Sequence, residues 1–335
     1  MNYQHSQFMQ LAITKAWRYQ LLTYPNPAVG ATVVKNNQVL SVEAHKTAGE
    51  AHAEVLALRS AYLKQYPNSQ LKEIYSSVDI HHFLSSKHND FFVDCEIYVT
   101  LEPCNHRGKT PACAMLLESI KIKKVYIGTL DPNKKATGGL QRLKYAKIDV
   151  ELGIEKKSTD KLLYPFRKWN KDRFLFFKMA MREDGSIDGG YITTKDSLSL
   201  VHKIRTKIDL MVIGGQTVRT DRPTLDARFA IKNISPDILI YSKQKEFDKT
   251  IPLFNIKNRE VLISDKLQIS NKNFVMVEGG YNMLNIVKDS IDCLVVFISH
   301  KVKSDIKFDF KKLGFQIIHR YNINSDDEIL FLEQL

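Results

Sequence analysis

The chain has 335 residues and no apolar run long enough to cross a bilayer. Its longest apolar stretches, such as Cys293–Ile298, have the length of a strand, so no membrane partner is expected. No G-x-G-x-x-G follows a strand-like segment, which excludes the usual dinucleotide-binding fingerprint. The N-terminus has no signal-peptide core. Phe8, Leu11, Ala12, Ala16 and Tyr19 recur at helical spacing instead. A separate basic arm is also missing. The net charge of +12 divides evenly, with 18 basic against 12 acidic residues in 1–150 and 31 against 25 in 151–335. An even surplus suits a solvated surface, or attraction for phosphorylated small molecules, better than a nucleic-acid face. The 44% apolar and 26% charged composition is that of a globular protein with room for two full cores.

What is present is concentrated in two strings. AGEAHAEVLAL carries His52 and Glu54, and TLEPCNHRGKTPAC carries Cys104 and Cys113. One imidazole and two thiolates are the three protein ligands a catalytic zinc takes while keeping a fourth position for water. Glu54, two residues beyond the histidine, is expected to carry protons and not to bind metal. Zinc acidifies water enough to displace an exocyclic amine from a purine- or pyrimidine-type ring near neutral pH. The pattern is similar to the H-x-E and P-C signature of zinc nucleobase deaminases, except that eight residues separate the two cysteines instead of two. Residues 52–64 read as a helix with His52 and Glu54 in its first turn, and 96–100 as a strand leading to Cys104. Cys113 is placed at the start of a helix from about Pro111, where the dipole favours a thiolate. With two of four cysteines on the metal, Cys95 and Cys293 are expected to be free thiols in a reducing, cytoplasmic setting.

Helix and strand alternate through the first half. Residues VGATVVK and QVLSVEAH flank Asn36-Asn37 as a hairpin, and an α/β domain ends near residue 153. Residues 65–93 read as a partly helical surface insertion. Its His81, His82 and His88 have no cysteine at ligand spacing apart from Cys95, which argues against a second metal site. A polar connector over 154–163 leads to a strand-rich domain over 164–335, with single helices near 194–207 and 281–289 suggesting a mostly parallel sheet. Gly214-Gly215 and Gly279-Gly280 follow apolar strands, where such sheets bind ligands.

YPNPAVG, HKTAGEAHAE, TLEPCNHRGKTPAC and LDPN in the first half, and KMAMREDG, IRTKIDLMVIGGQTVRTDRPTL and VEGG in the second, carry a family resemblance. The chain resembles the bifunctional deaminase/reductase of riboflavin biosynthesis over nearly its full length, and the long cysteine spacing is that family's own. The resemblance implies a cytidine-deaminase-like three-layer α/β/α domain over 1–153 and a dihydrofolate-reductase-like α/β domain over 164–335. It implies one Zn2+ per chain, NADPH, a phosphoribosyl pyrimidine substrate and a homo-oligomer, dimer or tetramer. A 2,5-diamino-6-ribosylamino-4(3H)-pyrimidinone 5′-phosphate would be deaminated, and its ribosyl group then reduced to ribityl. His52, Cys104 and Cys113 would hold the metal and Glu54 would move protons. Asn26 would meet the pyrimidine, with His45, His106 and Lys109 near the ribose phosphate. In the reductase half, Lys178, Gly189, Arg205, Leu225, Arg228 and Glu278 match substrate positions. Ala180, Tyr191, Thr217, Asp221, Ser242, Gly279 and Gly280 match cofactor positions, with Asp221 organising proton transfer.

The second half departs from the family where REDGSIDGGYIT is shorter than usual. Gly189 stands for a serine, Tyr191 for a tryptophan, and Arg222 for the second acidic or amide residue before Pro223. These changes leave open a deaminase-only chain with a degenerate reductase half. A tRNA or nucleoside deaminase would share the zinc motif but needs no second half. A purely structural zinc would require a fourth protein ligand.

Overall fold

The computed structural model describes residues 3–335 apart from 107, 109, 134, 135, 189, 191, 232 and 233. Lys109, Gly189 and Tyr191, each assigned a role above, lie outside the described residues. The chain forms two compact units, Met1–Arg167 and Lys168–Leu335.

In the first unit α1 (Tyr3–Trp17) precedes a hairpin of β1 (Gly30–Lys35) and β2 (Gln38–Ala44). Asn36 and Asn37 turn it with φ of 50° and 60°, the left-handed pair that a two-residue hairpin needs. Then come α2 (Ala53–Gln65), α3 (Ser77–Ser86), β3 (Cys95–Leu101), α4 (Cys113–Ser119), β4 (Lys124–Thr129), α5 (Gly139–Tyr145) and β5 (Asp149–Leu152). The sheet order is β2-β1-β3-β4-β5, antiparallel through β1 and parallel from β3 to β5. Strand alternation divides its side chains. Ala31, Val33, Ile97 and Val99 pack with Val55, Leu58, Leu84, Leu117 and Leu143 of α2 to α5. On the opposite face Tyr98 meets Phe8 of α1, ring to ring at 5.3 Å. The three layers expected for this half are therefore present.

Two sequence expectations change. Residues 65–93 are partly helical and mostly exposed, but most of their apolar side chains are docked and not solvated. Leu71, Ile80, Leu84 and Phe92 are fully buried. Phe83, Phe91 and Phe92 gather around Tyr62 of α2 at ring distances of 5.8, 6.0 and 6.3 Å. The apolar residues are separated by enough polar ones to look solvated until docking on α2 selects one face. The polar connector over 154–163 is also absent. Residues 156–171 form α6 (Lys156–Lys171), and the boundary between the units falls within it. Leu162, Leu163, Phe166 and Trp169 recur at helical spacing and are buried, which sustains the helix despite its lysines.

The second unit contains β6 (Phe174–Arg182), α7 (Lys195–Arg205), β7 (Leu210–Gly214), α8 (Gly215–Asp221), β8 (Asp237–Tyr241), β9 (Val261–Ser264), β10 (Phe274–Glu278), α9 (Tyr281–Val287) and β11 (Cys293–Ser299). It ends with β12 (Phe315–Asn322) and β13 (Asp327–Gln334). The sheet order is β12-β13-β11-β6-β10-β7-β8-β9. It is parallel from β11 to β9, with β13 and β12 added antiparallel. The mostly parallel sheet agrees with the sequence reading, while the closing hairpin and α8 were not legible. β10 returns between β6 and β7, so the carboxyl ends of these three strands open at a switch in strand order, where such sheets bind ligands. Among the described residues no helix is long and apolar enough to cross a membrane.

Candidate active sites

His52 caps the N-terminus of α2 in an extended conformation, one residue before the helix starts. The first helical turn carries Glu54 into the interior, where it is 4% exposed. β3 delivers Cys104 through Glu102-Pro103. The Glu102 carboxylate is buried and accepts from the backbone N–H groups of Gly138 (3.0 Å), Leu140 (3.1 Å) and Asp131 (3.3 Å). This ties the loop to the start of α5. Gly139 allows the approach, because a Cβ there would lie 1.8 Å from the Pro103 carbonyl oxygen. Cys113 opens α4, and its N–H points at the Cys104 sulfur at 3.4 Å.

The three donors converge. His52 Nδ1 lies 3.6 Å from Cys104 Sγ and 3.3 Å from Cys113 Sγ. Tetrahedral zinc with ordinary Zn–N and Zn–S bonds sets N···S separations of about 3.6 Å, so the donor set fits this metal. Among the described residues it is the one cluster of three or more His, Cys, Asp or Glu donors within ligand reach. Its electrostatics also fit. Cys104 is held down to about 4 by hydrogen bonding with Cys113 and His52, and is a thiolate. Cys113 is pushed up by Cys104 and by burial, so it holds the proton that a metal would displace. Burial would lower His52, but the Cys104 thiolate and Glu54 outweigh it and raise the ring. Burial pushes Glu54 up to about 7 against the pull of His52.

Asn26 and His45 join this centre. His45 is buried, its Nδ1 3.1 Å from the Ala51 carbonyl oxygen and its ring 5.5 Å from that of His52. Nδ1 therefore carries the proton and Nε2 accepts from the Asn26 Nδ2 amide at 3.2 Å. This fixes the amide's orientation. His45 thus contacts Asn26 directly, whereas His106 is exposed on the loop after Cys104. Thr110 was not singled out in the sequence. Its hydroxyl lies 3.5 Å from His52 Nε2, and the only sign of it was its place in the TPAC string. His81 donates from Nε2 to the Ala112 carbonyl oxygen at 3.2 Å, next to Cys113, and belongs to no group of three or more possible metal donors among the described residues.

At the carboxyl ends of β6 and β10, register places Lys178 beside Glu278. Lys178 Nζ is 2.8 Å from one Glu278 oxygen, and Arg205 Nη2 is 3.0 Å from the other. Burial works against the Glu278 charge, but Lys178 and Arg205 overcome it and hold the carboxyl down to about 2. Arg205 Nη1 donates to the Asp226 carbonyl oxygen at 3.2 Å, while its buried Nε has no partner among the described residues. Arg228 Nε pairs with the Asp226 carboxylate at 2.8 Å. Leu225 is buried with φ 55°. Lys178, Arg205, Leu225, Arg228 and Glu278 therefore share one neighbourhood. The sequence reading missed Asp226 and the buried His202, which burial and Arg205 lower to about 4.

The residues matched to cofactor positions sit around the same strand ends. Ala180 lies on β6, Thr217 and the exposed Asp221 on α8, and Ser242 just after β8. Gly215 packs against Ser242, since a Cβ there would lie 2.6 Å from the serine Cβ. Gly279 and Gly280 lead from β10 into α9. Arg222 caps α8 in the left-handed region and pairs with Asp248 at 2.8 Å and Thr250 at 2.6 Å, so its departure from the family pattern is absorbed by a surface contact.

A sequence profile described as the cytidine and deoxycytidylate deaminase zinc-binding region matches residues 2–129. The riboflavin biosynthesis protein RibD of Aquifex aeolicus is 29% identical over 296 residues, 84% of this chain and 76% of that protein. The RibD of Synechocystis is 31% identical over 229 residues, 66% of this chain. The chain is thus similar over most of its length to the riboflavin biosynthesis protein RibD. The matched stretch spans 55% of the Synechocystis protein. Among solved structures, Acinetobacter baumannii RibD in one form is 25% identical with a TM-score of 0.62, covering 99% of both chains. A diaminohydroxyphosphoribosylaminopyrimidine deaminase/5-amino-6-(5-phosphoribosylamino)uracil reductase from Thermotoga maritima, 23% identical, shares the fold with the same score and coverage. The His52 centre thus lies within the stretch matched by the zinc-binding deaminase profile, and the Glu278 cluster lies beyond it, in the second unit.

Proposed function

We propose that this chain hydrolytically deaminates 2,5-diamino-6-ribosylamino-4(3H)-pyrimidinone 5′-phosphate and then reduces the ribosyl group of the product to ribityl. The observation that carries the first step is a buried carboxyl, Glu54, beside three converging donors, His52, Cys104 and Cys113. Zinc held by those donors would supply hydroxide near neutral pH. Glu54 takes one proton from the attacking water and gives it to the ring nitrogen beside the reacting carbon, then takes the second from the hydroxyl of the adduct as its carbonyl forms and passes it to the amine, which leaves as ammonia. Its pKa of about 7 suits both directions of transfer. Asn26, oriented by His45, offers its carbonyl oxygen to the pyrimidine. His106 and Lys109 serve the phosphate end.

The second step is supported by the cluster of Lys178, Arg205, Arg228 and Glu278 at the sheet switch point. NADPH supplies the hydride. The free Nε–H of Arg205 and the Arg228 guanidinium suit a phosphate ester, which guanidinium groups bind bidentately. Asp221 organises proton transfer to the opened sugar. Ala180, Thr217, Ser242 and the Gly279-Gly280 turn would hold the cofactor, and Tyr191 is matched to the same role. The protein works as a homo-oligomer in the cytoplasm.

A single assay with the diamino substrate tests both steps by following ammonia and NADPH absorbance separately. Ammonia release followed by NADPH consumption is expected. Ammonia without NADPH loss would mean a deaminase-only chain, and neither signal would remove the proposal.

A further inference from the structure

We propose that Arg259 is a positioning residue that sets the substrate-binding loop of the reductase half. The inference rests on assigning that loop to substrate, as above. Arg259 lies two residues before β9 and faces the loop between α8 and β8. Its Nη1 donates to the Thr224 carbonyl oxygen at 2.9 Å, its Nη2 to the Leu225 carbonyl oxygen, and its Nε to the Pro236 carbonyl oxygen at 2.8 Å. Arg205 takes the next carbonyl along, that of Asp226. Two guanidiniums from different elements therefore bind three consecutive loop carbonyls.

The loop needs such a hold. Leu225 adopts φ 55°, a region that a branched side chain enters only when its surroundings require it. The residues on either side of this bend are the ones that face the ligand: Leu225 itself, Asp226 with its Arg205 contact, and Arg228 paired to Asp226. A fork of fixed N–H directions can satisfy three carbonyls on two chain segments at once, whereas a lysine ammonium is a single point. Arg259 touches neither substrate nor cofactor in this arrangement. It acts through the loop.

The test compares wild type with Arg259→Met, Arg259→Lys and Arg259→Ala in the full chain. For Arg259→Met, the KM of the deaminated ribosyl intermediate is expected to rise about tenfold or more. The kcat of reduction, the KM for NADPH and the rate of ammonia release are expected to stay within about twofold. Arg259→Lys should fall between the two, and added guanidinium ion should recover part of the loss in Arg259→Ala. Hydrogen exchange read by mass spectrometry provides an arm independent of turnover. Faster exchange confined to residues 224–230, with β7 and β8 still protected, is expected in Arg259→Met. Unchanged exchange in that loop, or an unchanged KM in a folded Arg259→Met protein, overturns the proposal. So does a parallel fall in kcat and NADPH affinity, which would mark a general loss of structure. If the wild type consumes no NADPH, the reductase assignment fails, while the exchange data still decide whether Arg259 holds the loop.

Discussion

Glu54, Cys113 and Glu278 are buried or half-buried acids whose surroundings set their charge, and each yields a different expectation. Glu54→Gln keeps the shape of the side chain and removes its proton-carrying capacity. Ammonia release should fall by about 10²- to 10⁴-fold while zinc content, measured by elemental analysis, stays unchanged. Zinc uptake by metal-free protein at pH 7 should release about one to two protons, because the Cys104–Cys113 pair shares a proton that the metal would displace. Calorimetry in buffers of different ionisation enthalpy would count them, and affinity should weaken as pH falls. The Glu278 carboxyl drops from an ordinary 4.5 to about 2, so its stabilising contribution is complete above pH 4.5 and is lost as pH falls through about 2. Glu278→Gln leaves Lys178 and Arg205 without their counter-charge and should cost about 3 kcal/mol in urea unfolding near pH 7. The difference from wild type should shrink across the pH 4.5 to 2 window. Cys95 and Cys293 behave otherwise. Burial pushes them up to about 11 and about 12, so they are inert core thiols.

Between elements, close approaches matter more than any one helix. The Cys104 loop is held by Glu102 reaching the start of α5 and by the missing side chain at Gly139. Gly139→Ala would push its methyl into the Pro103 carbonyl, so the loop must move and carry Cys104 with it. Zinc affinity, measured by competition with a chelator, should drop at least about tenfold while the helical circular dichroism signal is kept. A normal affinity would show that the loop tolerates the shift. The segment 65–93 shows why some elements escape a sequence reading. Its polar HHFLSSKHND string contains Phe83 and Leu84, whose burial depends on α2 offering Tyr62 and its neighbours. His81 stands out in the sequence only as one of three clustered histidines, and the packing of α3 brings it to the Ala112 carbonyl.

Over the whole molecule, the two sites occupy separate compact units and draw on separate residues. Asp221→Ala should therefore lower NADPH oxidation and leave ammonia release unchanged, while Glu54→Gln should do the reverse when the deaminated intermediate is supplied. Loss of both activities in either variant would contradict independent sites.

The sequence by itself marked the candidate donors His52, Cys104 and Cys113, the carboxylate of Glu54 and the α/β layering, and carried the family resemblance. Ligand chemistry is written in residue type and local spacing, and strand and helix periodicities are short-range. Only the tertiary structure decided that β10 returns between β6 and β7 and sets Glu278 between Lys178 and Arg205. It alone joined His45 to Asn26 and Arg259 to the 224–226 loop. These contacts link residues 19 to 100 positions apart, with no periodicity to announce them. They exist because a sheet order and a few buried carbonyls demand partners that no local pattern specifies.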